Sequence, residues 1–325
     1  MIERLHLRRT CVFHEGEIAL QRSVDMAERM AEVGPRVVRD WMPQQHREFY
    51  ARLPFILAAS VDEAGEVWPT MLAGEPGFIQ SPSSTVLTIA ASPFPGDPAR
   101  PGIAAGGAVG LLGIELHTRR RNRVNGLVCR AGRDGMAIAV AQSFGNCPQF
   151  IRLRDYAFAR DPHLPPVAEP EVAVTLNDHA RSIIAAADTF FVASYAGSAV
   201  DISHRGGRPG FVRIGADGLL TIPDFAGNFF FNTLGNFLVN PRAGLLFVDF
   251  ASGDLLQLAG RAEIVTDSPE IATFEGAERL WTFRPTKVVL RRDATPLRWS
   301  AVTEGVSART LRTGTWAEAG RGGRP

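Results

Sequence analysis

The sequence predicts a mainly β (α+β) protein built from two tandem copies of one barrel-type unit, preceded by a helical extension. Three observations predict this. Short segments recur in the same order at a nearly constant offset of about 134 residues, the mark of an internal repeat. Pro54-Phe-Ile-Leu-Ala-Ala-Ser60 returns as Thr189-Phe-Phe-Val-Ala-Ser194, and Pro76-Gly-Phe-Ile79 as Pro209-Gly-Phe-Val212. Val109-Gly-Leu-Leu-Gly113 returns as Ala243-Gly-Leu-Leu-Phe247, and Val124-Asn-Gly126 as Leu258-Ala-Gly260. Strand-type segments also follow one another at short spacing with few helices between them, which argues for barrels and against a parallel α/β sheet. Helical periodicity is concentrated at the front of the chain.

From Glu15 to Val33 the residues Leu20, Val24, Ala27 and Ala31 share a helical face, and Gly34-Pro35 is expected to stop the helix. A second short helix is expected over 43–53. The period then changes to two. Phe55–Val61 and Trp68–Leu72 read as strands joined by the turn Asp62-Glu-Ala-Gly65. Val86–Ala90, Ala108–Glu115, Arg123–Arg130 and Met136–Gln142 continue them, with a Pro/Gly/Ala-rich loop from Ala91 to Gly107. The second copy opens with a helix near Asn177–Ala187. Strands are expected at Thr189–Ser194, Gly210–Ile214, Leu219–Ile222, Ala243–Phe250 and Asp254–Val265, with a short helix over Asn232–Val239. The resulting division is a helical extension (1–47), a first unit (48–160), a linker stiffened by Leu164-Pro-Pro-Val-Ala-Glu-Pro170 (161–172), a second unit (173–312) and a flexible tail (313–325).

Composition excludes several function classes. The chain has 325 residues, 45% of them hydrophobic and 21% charged, so each half is long enough to bury its own core. A net charge of +1 gives no general attraction to nucleic acid or to an anionic membrane. Neither is an expected partner. Cys11, Cys129 and Cys147 form no short-spaced pair, which argues against a disulfide framework or a structural zinc site. No run has signal-peptide character or membrane-spanning length, and a cytoplasmic location is expected. No Gly-x-Gly-x-x-Gly follows a strand, no phosphate-binding loop ending in Gly-Lys-Ser/Thr is present, and no metal ligand set is expected. His14-Glu15 lacks the second histidine of a helical zinc motif, and Ala141-Gln-Ser-Phe-Gly145 lacks the first glycine of a nucleophile elbow.

Four segments carry chemistry. Ser203-His-Arg-Gly-Gly-Arg-Pro-Gly-Phe-Val-Arg213 gathers three arginines and a histidine around glycines, the makings of an anion site or of a solvated basic turn. Thr221-Ile-Pro-Asp-Phe-Ala-Gly-Asn228 leads into a helix rich in Asn and Thr. Helix starts offer N–H groups to anions and Asn side chains read heterocycle edges, although the same residues also cap and turn chains. Thr118-Arg-Arg-Arg-Asn-Arg-Val-Asn-Gly126 places at least two arginines on one strand face, and its repeat, Ser252–Gly260, has lost them all. An exposed edge strand is the alternative account. In Ser143-Phe-Gly-Asn-Cys-Pro-Gln-Phe-Ile-Arg152, Cys147 has no visible base, so Gln149 and Arg152 are the better polar candidates.

Together these segments resemble the pyridoxamine 5′-phosphate oxidase-like, FMN-binding split-barrel superfamily, above all its bacterial members of unassigned substrate. Residues 203–213 and 219–249 are similar to the family's run Ser-Pro-Lys-Gly-x-Pro-Pro-Gly-Phe-Val-Arg, Pro-Asp-x-x-Gly-Asn and Asn-Pro-x-x-Gly-Leu-Leu-Phe. Arg120–Gly126 resembles Arg-x-x-Arg-Val-Asn-Gly, and Asn146–Arg152 resembles His-Cys-Pro-Lys-x-x-x-Arg. The resemblance spans about Glu48 to Val265. In that family one subunit carries all these segments, and two subunits form a pair of sites. Here they are divided between the copies. The resemblance therefore implies two tandem split barrels forming a pseudo-dimer, with one complete FMN site between the halves.

It further implies that Arg213, His204 and Arg205 hold the phosphate. Asn228, Asn232 and Thr233 would support phosphate or ribityl oxygens, and Thr221, Ile222 and Asp224 would lie along the isoalloxazine. Arg121, Arg123 and Asn125 would approach from the first half, with Gln149 and Arg152 closing the site. The implied activity is an FMN-dependent oxidoreductase acting on a small organic substrate, with NAD(P)H as donor. The alternative is a non-catalytic flavin- or haem-binding carrier, in which His179 or His204 could serve as axial ligand. No residue stands out as acid or base. Such barrels pair, so a homodimer is implied unless the fusion already satisfies that interface. His14-Glu-Gly-Glu17 matches nothing in the barrel and would either roof the substrate side or pack outside.

Overall fold

The computed structural model describes residues 12–322. Cys11 and residues 323–325 lie outside them. The extension contains α1 (Glu15–Ser23), α2 (Ala27–Val37) and α3 (Gln44–Ala51). The single helix expected over 15–33 is thus two. α1 ends in a Schellman turn: Met26 N–H donates to Gln21 C=O at 2.8 Å and Asp25 N–H to Arg22 C=O at 3.2 Å. Asp25 takes the left-handed conformation that closes it (φ 56°). Gly34-Pro35 does not stop α2. Pro35 sits in the final turn, and the Val38 N–H still reaches Gly34 C=O at 2.8 Å.

The first repeat comprises β1 (Phe55–Val61), β2 (Val67–Ala73), β3 (Ile79–Ser83), β4 (Val86–Ile89), β5 (Ala108–Glu115), β6 (Arg120–Gly132) and β7 (Gly135–Gly145). They form one antiparallel sheet in the order β2-β1-β5-β6-β7-β4-β3. After β8 (Arg154–Phe158), β9 (Glu171–Ala173) and α4 (Asp178–Ala186) comes the second repeat. It contains β10 (Thr189–Ala196), β11 (Ala199–Gly206), β12 (Arg213–Ile214), β13 (Leu220–Phe225), α5 (Asn232–Val239), β14 (Arg242–Val248), β15 (Leu255–Val265), α6 (Pro269–Thr273) and β16 (Ala277–Arg291). Its order, β11-β10-β14-β15-β16-β13-β12, repeats the first sheet strand for strand, with β9 added beside β16. The repeats even share a β-bulge, at Asn125/Gly126 in β6 and Ala259/Gly260 in β15. β17 (Leu297–Ala301) crosses back to pair with β8, and α7 (Ala308–Leu311) and α8 (Trp316–Gly322) close the described chain.

Strand alternation divides the apolar residues among three cores. Ile56, Ala58, Val109 and Leu111 point into the first barrel, and Phe190, Val192, Leu245 and Phe247 into the second. The neighbours between them, Leu57, Leu112, Phe191 and Leu246, meet in a third core between the repeats. Both faces of the central strands are therefore dry. Two equivalent glycines let the repeats approach. A Cβ on Gly110 would lie 2.7 Å from the Val200 carbonyl oxygen, and one on Gly244 would lie 2.2 Å from that of Val67. This reciprocal contact is the signature of a two-fold interface, here within one chain. The chain is a pseudo-dimer of two split-barrel units, each an open, curled sheet.

Three further expectations change. The strand expected over 210–214 shrinks to β12, because Pro209-Gly210 forms a turn whose Phe211 N–H bonds Arg208 C=O. The long strand β16 was not anticipated: charges and Pro285 interrupt its apolar pattern. The segment 313–322 is no frayed tail. Trp316 packs edge-on against Phe274, lies under the Arg213 guanidinium and donates its indole N–H to Phe211 C=O. Among the described residues no helix is long and apolar enough to cross a membrane.

Candidate functional site

At one end of the interface β6 of the first repeat faces β11, β13 and the start of α5 of the second. The cavity between them is about 130 Å³. β6 contributes Arg121 and Arg123, two residues apart and so on one face. The segment after β7 contributes Asn146, Cys147, Gln149 and Phe150. His204 and Arg205 end β11, Asp224 and Phe225 end β13, and Asn228, Asn232 and Thr233 follow. Of the residues expected in the site, Arg121, Arg123, Gln149, His204, Arg205, Asp224, Asn228, Asn232 and Thr233 line this cavity.

The others do not line it. Arg213 is held in a two-pronged pair with Glu270 (2.5 and 2.8 Å) and stacks on Trp316. Thr221 accepts from Arg213, and Ile222 lies in the second barrel's core. Arg152 pairs with Asp188 at 3.1 Å, together with Arg154. Asn125 is buried behind the cavity wall, donating to Asp201 (2.7 Å) and Gln142 (3.0 Å).

Electrostatics separate the two β6 arginines. Arg123 is 3% exposed and neutralised by Asp201 at 2.8 Å, with a second bond to Ser203 Oγ. Among the described residues the Arg121 side chain makes no hydrogen bond or ion pair, and its Nε is buried without a partner. Burial first, then Arg123, pushes the Arg121 guanidinium down to about 9. His204, 5% exposed, has a buried Nε2 without a partner. Burial, then Arg121, Arg205 and Arg154, hold its imidazole well below the usual range. The Arg205 guanidinium is also lowered by burial, and its one carboxylate, that of Asp224, is 3.8 Å away and already bonded to Arg279 at 2.7 Å. The site thus gathers positive charge that the protein does not itself balance.

Backbone and rings complete the cavity. α5 begins at Asn232 with no side-chain cap, so its first N–H groups face the cavity from a helix start. Phe150, Phe229 and Phe231 line the cavity with left-handed backbones (φ 63°, 61° and 58°). Such conformations cost non-glycine residues about 1–3 kcal/mol each and concentrate at ligand sites. Phe150 stacks on Phe225 with centroids 5.2 Å apart, and Arg279 lies over Phe231.

Sequence reasoning missed these aromatics, along with Arg279 and Asp201. Asp201 could have been found by comparing the copies. It pairs with Ser194 as Trp68 pairs with Ser60, so a charge has replaced a ring at an equivalent place.

The equivalent place at the other end of the interface is different. Register puts Leu255 and Gln257 where Arg121 and Arg123 stand, and Met71 and Leu72 where His204 and Arg205 stand. A cleft of about 1190 Å³ opens there, and Asp97 and Arg291 form a buried ion pair of 2.7 Å in its wall. That cleft is larger, but its one strong buried charge pair is internally satisfied. His179, bonded to Asp254 at 3.0 Å, lies in neither cavity.

No protein-family model matches the chain, and no curated protein does. Among solved structures it is similar to HupZ of Group A Streptococcus, at 14% identity and TM-score 0.28, over 41% of this chain and 99% of that one. It is also similar to a putative pyridoxamine 5′-phosphate oxidase of Lactobacillus delbrueckii, at 13% identity and TM-score 0.26, over 33% and 95%. An FAD-binding protein of Mycobacterium smegmatis matches at 13% identity and TM-score 0.27, over 37% and 98%. Each is matched over less than half of this chain.

Proposed function

We propose that the chain binds one flavin mononucleotide between its repeats and acts as a flavin-dependent oxidoreductase on a small organic substrate, with NAD(P)H as donor. The observation that carries this reading is the uncompensated positive charge of Arg121 and Arg205, with the unpartnered Nε2 of a neutral His204 beside them, around one cavity walled by aromatic rings. A dianionic phosphate would satisfy those groups and the free N–H groups at the start of α5. Phe150, Phe225 and Phe231 offer flat apolar surface to a ring system. Phosphate and planar heterocycle are the two halves of this cofactor. When bound, it would supply the electron transfer.

The chain's own residues then bind and orient. Arg121 and Arg205 supply charge-assisted donors, and Asp224 fixes Arg279 and Arg205 beside the ring surface. The enclosed volume is smaller than the roughly 300–1,000 Å³ usual for ligand pockets, so entry requires the 226–231 rim to shift. Loss of the strained conformations at Phe229 and Phe231 is the natural hinge for that shift. The second end of the interface has Leu255, Gln257 and Leu72 where Arg121, Arg123 and Arg205 stand, which supports one cofactor per chain. A non-catalytic carrier of flavin or haem is the second reading. It is favoured by the pairing of both cavity carboxylates, Asp224 and Glu278, with Arg279, which leaves no unpaired carboxylate among the described residues of the lining.

An absorption spectrum of the purified protein, with released cofactor counted per chain, tests both. Flavin bands at one FMN per chain, bleached by a reduced nicotinamide, are the expected result. Flavin that no reductant turns over with substrate supports the carrier, and a Soret band supports haem. A colourless protein that refuses added FMN sinks the flavin reading.

A further inference from the structure

The His14–Glu17 segment lies outside everything proposed so far, yet α1 is pressed onto α5. A Cβ on Gly16 would fall 2.1 Å from the Gly235 carbonyl oxygen, and one on Gly235 would fall 2.6 Å from Glu17 Cγ. This closeness sets two α1 side chains on two α5 asparagines. His14 Nε2 is 2.8 Å from Asn236 Oδ1, and Asn232 Nδ2 donates to Glu17 Oε1. Glu17 Oε2 accepts the His14 backbone N–H at 2.9 Å, and its carboxyl is nearly sealed at 4% exposure.

Charged groups face this carboxyl from three elements. His14 Nε2, at the cap of its own helix, is 3.6 Å away, Asp201 on β11 opposes its ionisation, and Arg123 on β6 favours it. From α5 it meets the neutral Asn232. Asn232 also lines the cavity.

A carboxamide has a donor end and an acceptor end, and whichever end Glu17 takes, the cavity receives the other. A carboxylate only accepts. It therefore takes the NH₂ and leaves the Asn232 carbonyl for the cavity, which is the orientation seen here. A protonated carboxyl can donate its O–H to the Asn232 carbonyl, which turns the NH₂ to the cavity. The geometry points to Glu17 and Asn232 as a proton-coupled specificity device: with a neutral carboxyl the site presents a donor and selects an anionic oxygen, and with a carboxylate it presents an acceptor and does not.

The device rests on the reading of this cavity as an anion site. Burial, then Asp201, pushes the Glu17 carboxyl up to about 8, so the donor form prevails at pH 7. Above pH 8 an anion binds only with uptake of one proton. Its affinity then falls by up to about tenfold per pH unit. The phosphate's own second ionisation, near pH 6, lies below this range.

The test is the affinity of the full chain for FMN from pH 6.5 to 9.5, by calorimetry in buffers of different ionisation enthalpy, for wild type and Glu17→Gln. Wild type is expected to weaken above pH 8 while taking up close to one proton. Glu17→Gln, permanently neutral and still a donor, is expected to weaken less steeply than wild type, its remaining fall above about pH 8.5 coming from Arg121, which burial pushes down to about 9 in both proteins. A flat wild-type profile, or the same slope in both proteins, overturns the device. An infrared carboxylic-acid band in the ligand-free protein gives a second readout. It is expected to titrate near pH 8 in wild type and be missing in Glu17→Gln, and a band present in both overturns the assignment. If FMN binds neither protein, the flavin reading fails, and inorganic phosphate in the same comparison decides the device. Failure of both ligands at every pH overturns the two together.

Discussion

Arg121 is the residue on which the site turns. It is a cation drawn out of water with no counter-charge, so it destabilises the ligand-free fold and is available to an anion. Arg121→Met is expected to raise ligand-free stability by about 1–3 kcal/mol and to weaken FMN binding by about 10- to 100-fold. Urea unfolding and equilibrium titration check the two halves of that expectation. Glu17 gives a stability test independent of any ligand. Its carboxyl titrates at 4.5 in the unfolded chain and about 8 in the folded one. Between those values the folded chain keeps a proton that the unfolded chain has released. Stability contributed by this group is therefore full below about 4.5 and is lost as pH rises toward 8, by about 1.4 kcal/mol per pH unit. Glu17→Gln is expected to remove that slope from urea midpoints measured between pH 5 and 8. At this scale the sequence was informative about residue type. Arg121, His204, Arg205 and Asn232 stood out because cations and amides cluster around glycines. Arg213 lies outside the cavity lining, held by Glu270 of α6, which no local pattern connects to it.

At the scale of elements, the repeat gave β1, β5 and α5 their boundaries almost to the residue, since alternation and periodicity are local. β16 escaped because charged residues and Pro285 break its apolar pattern, and its place between β13 and β15 is set by pairing that no local signal marks. The glycine contact between repeats has a direct consequence. Gly244→Val is expected to lower stability by at least about 2 kcal/mol, because its side chain would collide with the Val67 backbone. Gly132→Ala, where nothing lies within 4 Å of the added carbon, is expected to stay within about 0.5 kcal/mol of wild type. Chemical denaturation of the two variants side by side checks this. Midpoints that shift equally would remove the close-approach account.

Over the whole molecule, the third core joins the repeats as closely as each is joined within itself. Phe191 and Leu246 of one pack with Leu57 and Leu112 of the other, and β17 is tied to β8 across the division. Thermal unfolding is expected to be a single transition with calorimetric and van't Hoff enthalpies equal, and two resolved transitions would show the repeats to be independent. Ligation should raise its midpoint, which continues to climb with free FMN after the single site per chain is filled. The sequence by itself determined the duplication, the β character of each copy and the loss of arginines from one of them, because these are properties of residue order and type. Only the tertiary structure decided which arginine stays unpaired, which end of the interface keeps its charge and where the His14–Glu17 segment rests. Those depend on side chains brought together from distant strands, and burial sets the cost of each charge only once its neighbours are in place.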